Sequence, residues 1–180
     1  MSIFSDFKEN YKFDNITEEK IKKIFPKELS DILCNYGSGD FLNGYFRFIN
    51  PFEYQEVIKD TYFDAENSLP FMITAFGDVI VYKKDGYICI IKYKEKESAI
   101  IGKKISLFIR FLEDDSFKKI NFDIPLYEDA IKLYGKLQNN ECFGFVPLLP
   151  LGGKKEANCL EKVNIKVHIE LITELVGKIE

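Results

Sequence analysis

Three short runs in the middle of the chain constrain its fold more than any other feature. They are Phe71 to Phe76, Val79 to Tyr82 and Tyr87 to Tyr93, each rich in β-branched or aromatic residues. Such side chains fit a pleated, buried surface. Asp85-Gly86 between the last two runs has the chemistry of a tight hairpin, because glycine accepts the positive φ that the turn demands. The pattern predicts an antiparallel sheet, with Tyr45 to Ile49 as a further aromatic strand.

Helical signals lie on both sides. Phe4, Phe7 and Tyr11 are spaced for one face of a short helical segment, so residues 1–25 read as a helical N-terminal extension. Thr17 offers an N-cap ahead of Glu18 and Glu19. Pro26 ends that segment and can open the next. Leu29, Ile32, Leu33 and Tyr36 then follow at i, i+3, i+4 and i+7, with Gly37 as the stop. Gly37-Ser38-Gly39-Asp40 reads as a turn. Asn50-Pro51 supplies a cap and a first-turn proline for a short helix through about Ile58.

Beyond the sheet, Ile105, Phe108, Ile109 and Leu112 share a helix face, extended by Leu107 and Phe111. Pro125 opens another helix, with Leu126, Ala130, Leu133, Tyr134 and Leu137 inward. Cys142 to Leu149 is apolar and extended. A last helix aligns Ile165, Ile169, Ile172, Val176 and Ile179 in one stripe. No repeat or linker divides the 180 residues. The expected architecture is one α+β domain over 1–180, with a central antiparallel sheet flanked by N-terminal and C-terminal helices.

Composition narrows the function classes. The formal net charge is −4, and only Arg47 and Arg110 are arginine, which argues against direct nucleic-acid binding through phosphate contacts. Acidity suits a basic protein partner. No stretch of about 18 apolar residues is present to span a bilayer. The start of the chain lacks the basic region and apolar core of a secretory leader. Four scattered cysteines without a CxxC pair fit a reducing compartment, and the expectation is a cytoplasmic protein.

Candidate chemistry is sparse. His168 is the sole histidine and lies in the apolar stripe of the last helix, with no second ligand at metal spacing. Glu113-Asp114-Asp115 lacks the glycine-bearing loop and alternate oxygen ligands of a calcium site. Gly152-Gly153-Lys154-Lys155 lacks the Gly-Lys-Ser/Thr order of a phosphate loop. Lys20 to Lys23 and Lys92 to Lys96 read as solvated faces. A cysteine nucleophile would need His168 as its base, with Cys142 the nearest idea. The expectation is no enzyme, no cofactor and no metal. A small hydrolase or nucleotide-binding enzyme is the weakest alternative, and an intracellular interaction or regulatory domain the stronger one.

One segment carries a resemblance. Glu141-Cys142-Phe143-Gly144-Phe145-Val146-Pro147-Leu148-Leu149-Pro150-Leu151-Gly152-Gly153 is similar to the signature of the GAD-like domain family, in which an acidic-Cys-Tyr-Gly-Phe-Val-Pro-Ala-Leu-Ala-Leu-Gly-Gly run precedes an apolar segment and a His-Leu helix. Phe143, Leu148, Pro150 and Ile169 depart from it. Pro125-Leu126-Tyr127-Glu128-Asp129-Ala130, Gly135-Lys136-Leu137 and Asn50-Pro51-Phe52-Glu53-Tyr54 resemble further family elements, and residues 120–180 are the most family-like. The resemblance implies an immunity protein of the type VI secretion kind, binding and neutralising a cognate toxin, a DNase among them. The signature residues Glu141, Cys142, Phe143, Gly144, Phe145, Pro147, Gly152, Gly153 and His168 are of types that shape backbone and core. Partner contacts are expected instead from exposed aromatic and charged residues, with Asp40, Tyr45, Arg47 and Tyr62 as candidates.

Overall fold

The computed structural model of the protein describes residues 3–180. Its centre is a seven-stranded antiparallel sheet whose strands are neighbours in chain order: β1 (Lys8–Tyr11), β2 (Ser38–Phe41), β3 (Phe46–Phe48), β4 (Ser68–Thr74), β5 (Val79–Lys83), β6 (Tyr87–Lys92) and β7 (Glu97–Lys103). The helices among the described residues are α1 (Asn15–Ile24), α2 (Lys27–Tyr36), α3 (Pro51–Thr61), α4 (Ile105–Phe111), α5 (Asp115–Asn121), α6 (Ile124–Tyr134) and α7 (Ile165–Val176). A second, two-stranded sheet pairs β8 (Glu141–Phe145) with β9 (Leu160–Asn164). The fold is α+β, with the antiparallel sheet that the central runs predict.

The central strands read as continuous apolar runs because both faces of the sheet are covered. Ile80, Ile88 and Ile90 face one core, together with Ile21, Leu29 and Leu33 of α1 and α2, Phe108 of α4 and Ala130 of α6. Val79, Val81, Cys89 and Ile91 face the other, together with Tyr54 and Ile58 of α3 and Ile169 and Ile172 of α7. Strand period two sorts alternate side chains to opposite faces. Pro70, a poor strand residue, sits where the β4–β5 register slips. The β8–β9 hairpin serves both cores. Phe143 and Phe145 enter the first and Cys142 the second, while the Phe143 amide donates to the Ala75 carbonyl at 2.7 Å.

Several local expectations need correction. Residues 3–6 form turns and Lys8–Tyr11 is an edge strand, so Phe4, Phe7 and Tyr11 share no helix and the 1–25 segment is only partly helical. The expected turn at Gly37 to Asp40 is strand β2, paired Lys8↔Asp40 and Glu9↔Gly39. Gly39 is needed for close approach, since a Cβ there would collide with both the Lys8 carbonyl oxygen and the Phe7 ring. The true turn is Leu42-Asn43-Gly44, with φ of 52°, 55° and 87°. The Asp6 carboxylate holds it by accepting from the Leu42 and Asn43 amides at 3.1 and 2.5 Å.

The cap of α1 is Asp14, which accepts from Thr17 N at 2.7 Å, and Pro26 caps α2 from one position outside it. Strand β7 has no counterpart in the sequence reading, because an exposed edge strand carries little apolar alternation. In α4, Ile105, Phe108 and Leu112 are buried but Leu107 and Phe111 are exposed. In α6, Tyr127 and Ala130 are buried, whereas Leu133 and Tyr134 face outward. Asn50-Pro51 opens α3 as its residues predict, and α7 buries Ile165, Ile169 and Ile172.

Candidate functional site

Two polar centres tie the sheet to the C-terminal third. At the first, Arg47 lies opposite Asp40 in the β2–β3 register and donates from Nε to its carboxylate at 2.6 Å. One terminal nitrogen donates to the Gln138 carbonyl at 3.0 Å and the other to the Asn139 carbonyl. A guanidinium offers several donors in one plane, so a single side chain holds both a carboxylate and a loop. Glu141 closes the same loop by accepting from the Gln138 amide at 2.9 Å.

Beside this clasp is a groove of about 600 Å³ between the β1–β3 edge of the sheet and α6. Tyr127, Ile131 and Leu137 line it along with Lys8, Glu128 and Lys136. The Tyr127 hydroxyl donates to the Asn43 carbonyl at 2.8 Å, and burial together with the Asp40 charge raises its pKa to about 12. Tyr127 therefore stays a neutral donor.

At the second centre, Lys94 is only 5% exposed and forms an ion pair with Asp78, itself buried at the start of β5. Lys94 also lies 3.5 Å from Asp123, and Lys155 bridges Asp123 and Glu95 at 2.9 and 2.6 Å. Burial raises the Asp78 pKa despite its lysine partner, and one of its carboxylate oxygens, Oδ1, has no hydrogen-bond partner. Glu95 behaves oppositely. Burial works to raise it, but Lys94, Lys155 and Lys92 prevail and hold it at about 2. The reading of Lys92 to Lys96 as a solvated face is thus corrected, since Lys94 is an interior charge.

The signature hairpin supports these centres. A Cβ at Gly144 would fall 2.6 Å from the His168 ring and 2.9 Å from Val163, so glycine lets α7 close onto β8. Gly152 takes a φ of 88° at the end of the 149–151 turn, and Gly153 packs against the Pro147 carbonyl. Burial pushes the Cys142 thiol up and the His168 imidazole down. A nucleophilic cysteine needs the opposite shift, so burial disfavours the Cys142 thiolate. No cluster of three or more histidine, cysteine or acidic side chains suited to a metal occurs among the described residues.

Of the partner-contact candidates, Asp40 and Arg47 meet, whereas Tyr45 and Tyr62 lie apart. Tyr45 is 1% exposed, packed edge-on against Phe46, Phe122 and Tyr127. Tyr62 is buried at the end of α3 and bridges to Ile179. Arg47 is buried as well. The expectation that these side chains are exposed is corrected. Their aromatic and planar groups satisfy the interior, which favours the same residue types as interfaces do. No motif joins Asp78, Lys94, Asp123 and Lys155, and Lys94 and Lys155 sit in runs that read as exposed, although an aspartate within the apolar run 71–81 is a visible signal of a buried partner.

The large sheet and its N-terminal helices define the class first. The chain belongs to the GAD-like domain family, whose model matches residues 2–94. More narrowly, residues 102–176 match the model described as T6SS immunity protein Tdi1, C-terminal. The glycine-rich signature at 141–153 therefore lies in the immunity-protein segment, outside the GAD-like match. The crystal structure of Atu4351 from Agrobacterium tumefaciens shares the fold, with a TM-score of 0.76, 18% identity, and coverage of 95% of this chain and 86% of that one. No curated protein matches. Among the described residues, no helix is long and apolar enough to cross a membrane.

Proposed function

We propose that this protein is a cytoplasmic immunity protein that binds a cognate type VI secretion toxin and neutralises it by occlusion. The match of residues 102–176 to the Tdi1 C-terminal model carries the reading. The toxin class that fits is a nuclease acting on DNA. Such an enzyme presents a basic surface to phosphates, and a chain of net charge −4 is steered towards it. Inhibition then rests on affinity and needs no reacting group in this chain.

Residues 1–180 act in this reading as one unit, because each core takes side chains from both matched segments. Asp40 and Arg47 serve the partner surface from beneath, by fixing the 138–140 loop beside the groove. Tyr45 and Tyr62 serve it through the cores. The signature residues shape the hairpin on which α7 rests.

Co-expression tests the reading. A tagged copy of the protein should capture the product of the adjacent gene and restore growth to cells in which that product is toxic. Absence of both capture and rescue would remove the immunity assignment.

A further inference from the structure

The outer side of α7 carries apolar residues that the fold leaves uncovered. Ile165, Ile169 and Ile172 already anchor the helix in the core. On another face, Val167, Leu171 and Leu175 repeat at i, i+4 and i+8 and are 61%, 46% and 52% exposed. That spacing places them in one row about 12 Å long. Val163 on β9 is half-buried, packed against the same core and beside Gly144. Exposed leucines scattered singly need no explanation, but a row along one helix marks a contact surface.

The charges beside the row indicate what covers it. Glu170 and Glu174 flank it on α7, and Glu161 lies on the same side of β9 as Val163. All three are exposed, and none forms an ion pair among the described residues. Of the neighbouring lysines, Lys166 pairs with Glu53 at 3.2 Å, Lys162 alternates to the opposite side of β9 and donates to the Lys136 carbonyl at 2.7 Å, and Lys178, beyond the end of α7, donates to the Lys59 carbonyl at 3.2 Å. A backbone carbonyl does not cancel a lysine charge, so three acids on this side stand against the one charge of Lys178, and the balance beside the row is negative. A second copy docking through the same face would set these acids against their own images across a two-fold axis. A basic partner meets them with the opposite sign.

We infer that the α7 ridge of Val167, Leu171 and Leu175 is the docking surface for the toxin, taking a segment that presents apolar anchors flanked by lysine or arginine. This rests on the immunity reading. Burial of the leucines supplies affinity, and Glu161, Glu170 and Glu174 supply register and association rate.

The probe is the purified product of the adjacent gene, with binding followed on an immobilised full-length protein. Relative to the wild type, Leu171→Asp/Leu175→Asp should bind about 100-fold more weakly. Glu170→Lys/Glu174→Lys should associate about 10-fold more slowly at low salt, with the difference shrinking as salt is raised. Both glutamates are exposed, so the charge variant answers the question even if the leucine variant misfolds. A wild type that binds tightly, with both variants binding equally tightly, would overturn the ridge and leave the immunity reading standing. A wild type that does not bind would overturn both. Light scattering that shows a wild-type dimer dissolved by Leu171→Asp/Leu175→Asp would give the ridge to a second copy and overturn the toxin assignment.

Discussion

The Arg47 clasp and the Lys94 centre perform the same mechanical task with different chemistry. Each joins the large sheet to the segment that follows it. Arg47 spreads its donors over a carboxylate and two backbone carbonyls beside an open groove. Lys94 is a compact charge enclosed between Asp78 and Asp123, with Phe76 beneath it at 5.6 Å. The difference teaches where the molecule tolerates change. Loss of the clasp leaves two neutral carbonyls and an Asp40 carboxylate that solvent still reaches. A sealed pair leaves an ion without a partner in a medium that solvates it poorly.

The largest effect should therefore come from Lys94→Ala. Removing one member of a buried pair costs about 3–5 kcal/mol, read as a lowered midpoint in urea. The double variant Asp78→Asn/Lys94→Met should recover much of that loss, because it removes both charges together. If Lys94→Ala alone were as stable as the wild type, the sealed character of this centre would be refuted.

Arg47→Lys comes next. A lysine keeps the charge opposite Asp40 but cannot span the carboxylate and both carbonyls, so a loss of about 1–3 kcal/mol is expected. The more telling readout is hydrogen exchange. Amides over 138–141 should exchange faster while those of β5 and β6 keep their protection. Uniform loosening of the whole sheet would show that Arg47 is not a local clasp.

The smallest effect is the dependence on pH, and it separates the two sides of the structure. Burial keeps the His168 pKa below its ordinary 6.5, so its contribution is whole above pH 6.5 and is lost as pH falls through the lower folded value. Glu95, held at about 2 against 4.5, contributes fully above pH 4.5 and loses that contribution between there and about pH 2. Asp78 opposes this trend, because its raised pKa makes protonation easier in the fold. Unfolding midpoints measured from pH 7 to 3 should fall in two stages. His168→Gln should flatten the upper stage and Glu95→Gln the lower.

Much of the local structure was legible from residue order. The Asp85-Gly86 hairpin and the Asn50-Pro51 start of α3 are each encoded within a few residues and appear as read, whereas the isoleucine stripe of α7 holds through Val176 and its last member, Ile179, lies past the helix in a bridge to Tyr62. Edge elements were less legible. Strand β1 and the glycine-bearing β2 form because each supplies the other's backbone partners, and neither segment announces that alone. The site was least legible. Tyr45, Arg47 and Tyr62 have the composition of an interface, yet the fold spends them inside.

Residue order alone sets the alternation that puts Ile80 and Val81 on opposite faces of a sheet, along with the caps and turns that start and stop the helices. These follow from backbone geometry and nearest-neighbour sterics, which act over a few residues. That Lys94 is interior while Leu171 is exposed follows from long-range packing. Burial and charge pairing depend on what arrives from elsewhere in the chain: Asp123 and Lys155 meet Lys94 and Glu95 only after the hairpin and α6 have closed over the sheet. Low dielectric then makes that meeting strong, an effect with no local signature in the order of residues.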